Sequence, residues 1–557
     1  MSQGNSAIFY HPEGFDTGGK QLMGRHAAGE SFLHAYARHG STERLFCYAA
    51  RKAHYEDFKT RVAAGAGREL RARWIPHGQE DALAEPGCLF YPSPNFQELS
   101  WHRRHGGPRR YSLTGVTHTT ATHTAMDAMG ATLVAPYESW DAVICTSQAV
   151  RRMVERSTEQ YRDYLATRLG GEPPAPRCQF PVIPLGVEMS RFPPRSEKLD
   201  ARERIRRDCG LDADEVAVLY MGRLNWHAKA HPFPMALALQ AAARATGVRA
   251  ALLLAGWFPN DSIETSFRDM LAATCPDVRC HILDGRKPDI RADVWFAADI
   301  FCSLSDNIQE TFGLTPVEGM AAGLPCVVTE WNGYRETVRH GQEGFAVSTV
   351  MPPRGAGSLL ARRHAMGLDN YDHYVGYASQ VTAVNVPEAT EAFGALLASA
   401  DLRQRMGEAG RRRAASIFGW HQIVPQYEAL WAELAERRTT DAEVAPRGPN
   451  APPHPLREDP FTLFGHYPTQ QLDTASVLLA TERTTVDYCN WAAGLAMNRF
   501  ARTHLLADEA LTALIRTLAE ARRLPLDAVL ALGLGDSGRV TRTVVWLAKL
   551  DVIGLEP

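Results

Sequence analysis

Short apolar runs alternate with stretches of helical spacing along most of the 557-residue chain. In the first part, the runs at 7–10, 112–118 and 141–145 are predicted strands, and 21–38 has the spacing of a long helix. This alternation is typical of a parallel sheet flanked by helices. Two prolines and a glycine interrupt the pattern at 179–187, which predicts a linker between domains.

A second alternating region extends from about residue 202 to residue 412. Its strands are predicted at the apolar runs 216–220, 250–255, 279–283, 300–303 and 325–329. Two such halves leave a cleft between them, and open sheets of this kind bind ligands at the carboxyl ends of their strands. Residues 350–370, with two prolines and three glycines, are predicted to form a long loop or insertion.

The end of the chain has a different pattern. Residues 445–455 contain five prolines, which predicts a semi-rigid linker, and the spacing beyond is mostly helical. The segment 533–538 matches G-x-G-x-x-G, but the chain ends at Pro557, too soon for a complete dinucleotide domain. We therefore expect the glycines to join helices 526–532 and 539–550 in a helix-turn-helix or winged-helix-like interaction module. Acidic and basic residues nearly balance there, which argues against DNA binding.

Composition excludes only a few classes of protein. The 45% hydrophobic and 22% charged fractions predict folded globular domains, three or four by length, and a net charge of −3 excludes an overall basic nucleic-acid binder. Ten cysteines without a CxxC pair favour a reduced, cytoplasmic protein without a zinc site. No signal peptide and no membrane span are predicted.

The stretch 310–325 contains the residues best suited to binding a ligand. Glu310 and Glu318 stand eight positions apart around a glycine turn, and Pro316 suits the first turn of a helix. Such a helix would begin with backbone N–H groups able to bind phosphate oxygens, those of Gly313, Leu314 and Thr315. The arrangement suits a diphosphate in the middle, a sugar on one side and a ribose on the other. Either acid alone is equally well explained as a solvated loop or helix-start residue.

In this context the stretch resembles the E-x7-E region of the retaining glycosyltransferases of family 4, which have the GT-B architecture. Three further segments are similar to the family and in the same order: 182–188, 220–224 with Lys229, and 418–427. The resemblance covers roughly residues 6–436. It implies two Rossmann-like, doubly wound α/β domains facing a cleft, joined to a small, mostly helical C-terminal domain. The implied boundaries are 1–190 for the acceptor domain, 191–415 for the donor domain, 416–438 for a closing helix, 439–458 for the linker and 459–557 for the accessory domain.

The resemblance also implies roles for individual residues. Arg223 and Lys229 would neutralise the donor diphosphate in place of a metal ion, so no metal site is expected. Glu310 would bind donor-sugar hydroxyls, Glu318 the ribose, and Asp284 would lie where the base is received. The remaining nucleotide-sugar contacts would come from Gly18, Gly19, Phe312, Gly313, Leu314 and Thr315.

One histidine of the N-terminal half is expected beside the donor sugar. The resemblance favours His118, which follows a predicted strand, and His123 is the alternative five residues on. A lone histidine is more often a packed or surface residue.

The implied function is transfer of a sugar, with retention, from a UDP-sugar or GDP-sugar to an acceptor that is a saccharide, a lipid-linked molecule, a peptide or a small molecule. No further cofactor is expected. The alternatives are another GT-B activity, such as a phosphorylase or a sugar-nucleotide epimerase, and a catalytically silent scaffold or regulator. A basic cluster at 102–110 suits an anionic lipid surface or an acidic acceptor, and equally a solvated loop. The accessory domain is a candidate for homo-oligomerisation.

Overall fold

The computed structural model describes residues 4–15, 24–444 and 446–556. The chain divides into two compact units, residues 1–448 and 449–557. The first unit holds two α/β domains, each built on a six-stranded sheet. Gly18 and Gly19, expected to cover the donor phosphates, lie outside the described residues.

The N-terminal domain is a parallel sheet in the order β3-β2-β1-β4-β5-β6 with helices on both faces. Its strands are β1 Ala7–Phe9, β2 Arg44–Ala49, β3 Arg71–Pro76, β4 Cys88–Tyr91, β5 Ser112–Val116 and β6 Ala142–Ile144. Its helices are α1 Gly24–His39, α2 Lys52–Ala66, α3 Gln97–Gly106, α4 His123–Ala131 and α5 Gln148–Leu169. The strand order reverses between β1 and β4, which is where a Rossmann-like sheet binds ligands.

The second domain repeats this topology with the order β12-β11-β10-β7-β8-β9. Its strands are β7 Val216–Met221, β8 Ala250–Gly256, β9 Arg279–Asp284, β10 Ile300–Ser303, β11 Cys326–Thr329 and β12 Gly344–Val347, with a short pair β13 Thr349–Val350 and β14 Ala383–Val384. Its helices are α6 Leu199–Asp208, α7 Phe233–Thr246, α8 Asp261–Thr274, α9 Pro288–Ala297, α10 Leu314–Ala321, α11 Tyr334–Thr337, α12 Ser358–Ala365, α13 Tyr371–Gln380, α14 Val386–Ala398 and α15 Ala400–Arg413. Here β7 and β10 flank the switch point, so the loops after them are placed to bind a ligand.

The central strands are continuous apolar runs in the sequence because their side chains are buried on both faces of the sheet. All seven residues of β8 are buried, because helices cover both faces of the parallel sheet. The eight strands predicted from apolar runs are all present, with ends shifted by at most two residues.

One helix ties the two domains together. A π-helical turn, Ala414–Phe418, leads into α16 Trp420–Thr440, whose Trp420, Tyr427 and Trp431 are buried in the core of the N-terminal domain. Val187 donates to the Phe418 carbonyl at 2.8 Å and accepts from the Trp420 N–H at 3.1 Å. The two interdomain crossings therefore lie side by side.

Of the two predictions for the region from 350 to 370, a long loop or an insertion, the structure has an insertion. It contains α12, and with α13 it forms a helical insertion bracketed by the antiparallel pair β13–β14. The eight residues of α12 lie between Gly357 and Met366, too short a run for helical spacing to stand out among the turn residues.

The second unit has its own core and is not purely helical. Its elements are α17 Pro460–Leu463, β15 Val477–Ala480, α18 Val486–Gly494, α19 Ala496–Arg499, α20 Asp508–Ala521, β16 Arg523–Pro525, α21 Leu526–Ala531, α22 Ser537–Lys549 and β17 Ile553–Glu556. The three strands form an antiparallel sheet in the order β16-β15-β17. The glycine motif forms the turn between α21 and α22, and Asp536 caps α22 by accepting from the Arg539 N–H at 2.9 Å.

The basic cluster at 102–110 is largely engaged within the chain. Arg103 is buried and forms a bidentate ion pair with Asp141, at 2.6 and 2.7 Å. Arg109 pairs with Glu443 at 3.3 Å and Arg110 with Asp81 at 2.9 Å. Arg103 therefore lies neither on a charged surface nor in a solvated loop, because one residue of a basic helix can point into the core. Among the described residues, no helix combines the length and hydropathy needed to cross a bilayer.

Candidate functional site

A cleft of about 990 Å³ lies between the two Rossmann-like domains. Its second-domain wall is formed by the loops after β7 and β10 and by the first turn of α10. These loops flank the switch point of the sheet, so the topology itself brings Arg223, Lys229 and Glu310 together.

The loop after β7 carries two cations into the cleft. The Arg223 guanidinium donates through Nη2 to the Ala228 carbonyl and to Gln309 Oε1, both at 3.3 Å. Lys229 Nζ lies 2.6 Å from Glu310 Oε2. Arg223 lines the cleft, is held by neutral acceptors, and has no direct ion pair with a carboxylate among the described residues.

The electrostatics of Glu310 follow from burial and from Lys229. Burial raises the pKa of Glu310, but the Lys229 ammonium and the N–H groups of Thr311 and Phe312 together outweigh burial and hold that pKa below its ordinary value. The Thr311 N–H also donates to Glu310 Oε1 at 3.3 Å. Glu310 is therefore an ionised acceptor for hydroxyl groups at neutral pH.

The turn before α10 depends on a glycine. Gly313 precedes the helix with φ of +92°, and a Cβ there would lie 2.1 Å from the Tyr334 ring. Tyr334 is buried beneath the turn, with its hydroxyl 2.9 Å from Ser303 Oγ. Because only glycine fits this conformation and this space, the chain can turn sharply and present the N–H groups of α10 to the cleft. Phe312, Gly313, Leu314 and Thr315 all line it.

The turn at 331–333 supports this loop from behind. Asn332, in the left-handed region with φ of +49°, donates its side-chain amide to the Glu310 carbonyl. Trp331 Nε1 donates to the Asn307 carbonyl at 3.1 Å, and Asn307 Nδ2 donates to the His227 carbonyl at 2.9 Å. The loops after β7, β10 and β11 are thus connected by hydrogen bonds into one framework.

Comparison with known proteins agrees with this geometry. Residues 201–352, which contain both loops and α10, match the sequence model of a family described as glycosyl transferases group 1. This part of the chain is therefore similar to group 1 glycosyltransferases. Its relatives include spore coat protein SA of Bacillus subtilis, 24% identical over 47% of this chain and 60% of that protein. D-inositol 3-phosphate glycosyltransferase of Corynebacterium kroppenstedtii is 29% identical over 41% of this chain and 51% of that protein. The matches thus span roughly half to three fifths of these relatives.

Solved structures of similar shape include Anabaena Alr3699/HepE in complex with UDP-glucose. It is 15% identical, with a TM-score of 0.48, and the match covers 78% of this chain and 99% of that one.

Helix α10 places Glu318 in the cleft as well. Glu318 lies in the second turn of α10, partly exposed, and burial raises its pKa against the opposing charges of Arg191 and Arg291. Both arginines line the cleft too. Neither was expected from the sequence, because each lies outside the motif and reaches the site only through the fold.

Of the two candidate histidines, His118 lines the cleft. Its carbonyl accepts from Thr311 Oγ1 at 3.4 Å, which joins the two domains at this point. His123 begins α4, is exposed, and has its ring centroid 3.9 Å from that of His364. The structure therefore separates the two residues that the sequence left as alternatives.

Asp284 is the last residue of β9 and pairs with a neighbouring arginine. Its carboxylate accepts both Arg286 Nε and Nη2, at 2.9 and 3.0 Å, and it is Gly285 that lines the cleft. The Arg286 guanidinium holds the pKa of Asp284 below its ordinary value. A contact from Asp284 to the base would have to compete with this pairing.

The N-terminal wall of the cleft comes largely from α1. Small or polar side chains at 27, 31, 34, 35 and 38 line it at helical spacing. Burial lowers the pKa of His34, and Arg38 donates to the Gly65 carbonyl at 3.1 Å. This face was missed, although a stripe of alanine, serine and histidine at helical spacing was visible in the sequence.

Gln309 and the insertion residues Tyr371 and Asp372 also line the cleft. Sequence reasoning did not single them out. Within the described ranges, no group of three or more His, Cys, Asp or Glu side chains is arranged to hold a metal ion.

Proposed function

We propose that the protein transfers a sugar, with retention, from a nucleoside diphosphate sugar to an acceptor hydroxyl, and that Arg223 and Lys229 take the place of a metal ion. The observation that carries this proposal is the convergence of two cations, a helix N-terminus and an ionised carboxylate at the switch point of one domain. The family match over the same residues supports it.

The charges suit a diphosphate. A diphosphate that is esterified to the nucleoside at one end and to the sugar at the other carries about two negative charges. The first-turn N–H groups of α10 and the Arg223 guanidinium would offset them. Lys229 is already neutralised by Glu310 and can turn one N–H toward a phosphate oxygen while keeping that pair. The same groups would stabilise the additional charge on the departing nucleoside diphosphate, which lowers the barrier to its release.

Glu310 suits the donor sugar. A buried, ionised carboxylate that accepts hydroxyl hydrogen bonds contributes about 1.5–3 kcal/mol for each bond, enough to select the orientation of a hydroxyl. His118 would contact the same sugar from the opposite domain, since both residues line one cleft.

The nucleoside would lie toward Glu318 and the strand ends of β8 and β9. A Cβ on Gly256 would lie 1.9 Å from the Gly222 carbonyl oxygen, so the loops after β7 and β8 approach each other closely. Gly256 and Gly285 thereby leave backbone, rather than side chains, at the place proposed for the base. Glu318 would accept the ribose hydroxyls.

Retention without a covalent intermediate requires displacement on one face of the sugar. The bond from the anomeric carbon to the phosphate oxygen breaks, the acceptor oxygen bonds to that carbon on the same face, and the acceptor proton passes to a phosphate oxygen. Glu310 is bound to Lys229 and is thus held as an acceptor of hydrogen bonds rather than as a nucleophile. The acceptor would approach along the α1 face.

The test is release of nucleoside diphosphate from a panel of UDP-, GDP- and ADP-sugars. One donor is expected to be turned over, and Arg223→Ala is expected to lower its kcat/KM roughly 10-fold to 150-fold, from the loss of charge-assisted bonds. Arg244→Ala is the matched control, because Arg244 belongs to the same domain, is exposed, and pairs with Asp277 outside the cleft lining. Turnover only with orthophosphate, isomerisation of the donor without an acceptor, or equal loss in both variants would contradict the proposal.

A further inference from the structure

The helical insertion α12–α13 reaches the candidate site. Tyr371 and Asp372, at the start of α13, line the cleft beside Arg223 and Gln309. The insertion is anchored to its own domain as well, since Gly376 packs on His227 so closely that a Cβ would lie 2.7 Å from the His227 Cβ. Asn307 Nδ2 also lies 3.5 Å from the Val375 carbonyl.

The same insertion contacts the N-terminal domain through the segment that joins β5 to α4. Thr119 Oγ1 lies 3.4 Å from the Tyr371 hydroxyl, and the rings of His123 and His364 are in contact. Between these points Ala121 is buried in a small cluster with Ala228 and Val375. The insertion therefore bridges the two walls of the cleft.

A directed set of hydrogen bonds leads from this bridge to Arg223. Gln309 donates its Nε2 to the Ala228 carbonyl, so its Oε1 faces both Arg223 Nη2 and the Tyr371 hydroxyl, at 3.3 and 3.2 Å. Because the Tyr371 hydroxyl has one proton and gives it to Gln309, the Thr119 hydroxyl must be the donor in the remaining contact.

We propose that Tyr371 is a positioning residue that couples closure of the cleft to the placement of Arg223. Thr119 belongs to one domain and Gln309 to the other, so the full set of bonds exists only when the two walls are as close as they are here. Closure then fixes Gln309, and Gln309 fixes the guanidinium that meets the donor diphosphate. This inference rests on the proposed function.

The test uses the full chain and the donor found by the nucleotide-sugar panel. Tyr371→Phe keeps the ring and removes only the hydroxyl, and it is expected to lower kcat for donor turnover roughly threefold to tenfold, the effect of one neutral hydrogen bond. KM should change less than kcat, since Arg223 acts most on the leaving phosphate. Tyr377→Phe is the control, because Tyr377 lies on the same helix but is exposed and stacks on His373.

A double-mutant cycle separates positioning from a general loosening of the fold. Thr119→Val is expected to resemble Tyr371→Phe, and the pair together should lose little more than either alone, with an unchanged melting midpoint. Wild-type kcat in Tyr371→Phe, additive losses in the double variant, or the same loss in Tyr377→Phe would overturn the inference while leaving the proposed function intact. A wild-type protein that turns over no donor would overturn both.

Discussion

Removal of Lys229 leaves the Glu310 carboxylate buried without its partner. The Nζ to Oε2 distance is 2.6 Å, and the side chains are 23% and 9% exposed. At an effective dielectric constant near 20 the attraction over this distance is about 6 kcal/mol, most of which offsets the cost of taking both charges out of water. Breaking such a pair from one side costs about 3–5 kcal/mol. We expect the lower end for Lys229→Ala, because the Thr311 N–H still donates to Glu310.

The pH dependence identifies the cause of that loss. In the wild type the pKa of Glu310 lies below its ordinary value, so the pair stabilises the fold above a pH of about 4.3 and less so as the pH falls further. In Lys229→Ala, burial is no longer opposed by Lys229 and the pKa of Glu310 rises above its ordinary value. Ionised Glu310 then destabilises the variant at neutral pH, and protonation relieves this as the pH falls. The difference in stability between wild type and variant should therefore shrink from pH 7.5 to pH 5.

Urea unfolding of both proteins at the two pH values measures this difference. Lys198→Ala is the matched control, since Lys198 pairs with Asp293 at 3.1 Å in the same domain but is 35% exposed. We expect that control to cost less than about 1 kcal/mol at either pH. A difference for Lys229→Ala that does not change with pH, or that is no larger than the control, would refute the reasoning about Glu310. Donor turnover should also fall at least tenfold in both Lys229→Ala and Glu310→Ala, and near-normal rates would remove both residues from the proposed site.

Three further outcomes are expected. Gly313→Ala should destabilise the protein and abolish nucleotide binding, because its Cβ would strike the Tyr334 ring. The control Gly323→Ala has a similar positive φ but nothing within 4 Å, so it should show backbone strain alone. Equal effects of the two variants on thermal unfolding would contradict this. His118→Ala should lower donor turnover at least tenfold while His123→Ala leaves it within about twofold, and the reverse order would move the donor sugar away from His118. Activity should survive EDTA, since Arg223 and Lys229 supply the positive charge, and strict dependence on Mg²⁺ would show that they do not.

Eight of the strands and the glycine turn before α10 could be predicted because their causes are local. Strands such as β7, β8 and β10 are continuous apolar runs, since both faces of a parallel sheet are covered. The strands β2, β3, β4 and β12 were not predicted. Of these, β3 begins with Arg71 and alternates exposed with half-buried positions at the edge of its sheet. The motif around Glu310 was visible because a glycine, a proline and two acids fall within one turn and one helix.

Contacts between distant segments could not be predicted in this way. Tyr371 is 62 residues from Gln309 and 252 from Thr119, and only the packing of the insertion brings the three together. Arg103 sits in a basic run that suggested an exposed patch, yet its partner Asp141 lies 38 residues away in the core. Position in the tertiary structure, rather than residue type, decides the role of each.

Calorimetric titration of the full chain with UDP, GDP and ADP tests the central claim most directly. The account predicts that one of the three binds, that Arg223→Ala weakens this binding at least tenfold, and that the control Arg244→Ala leaves it unchanged. Binding of none of the three, or binding that Arg223→Ala does not alter, would contradict the assignment of this cleft as a nucleotide-sugar site.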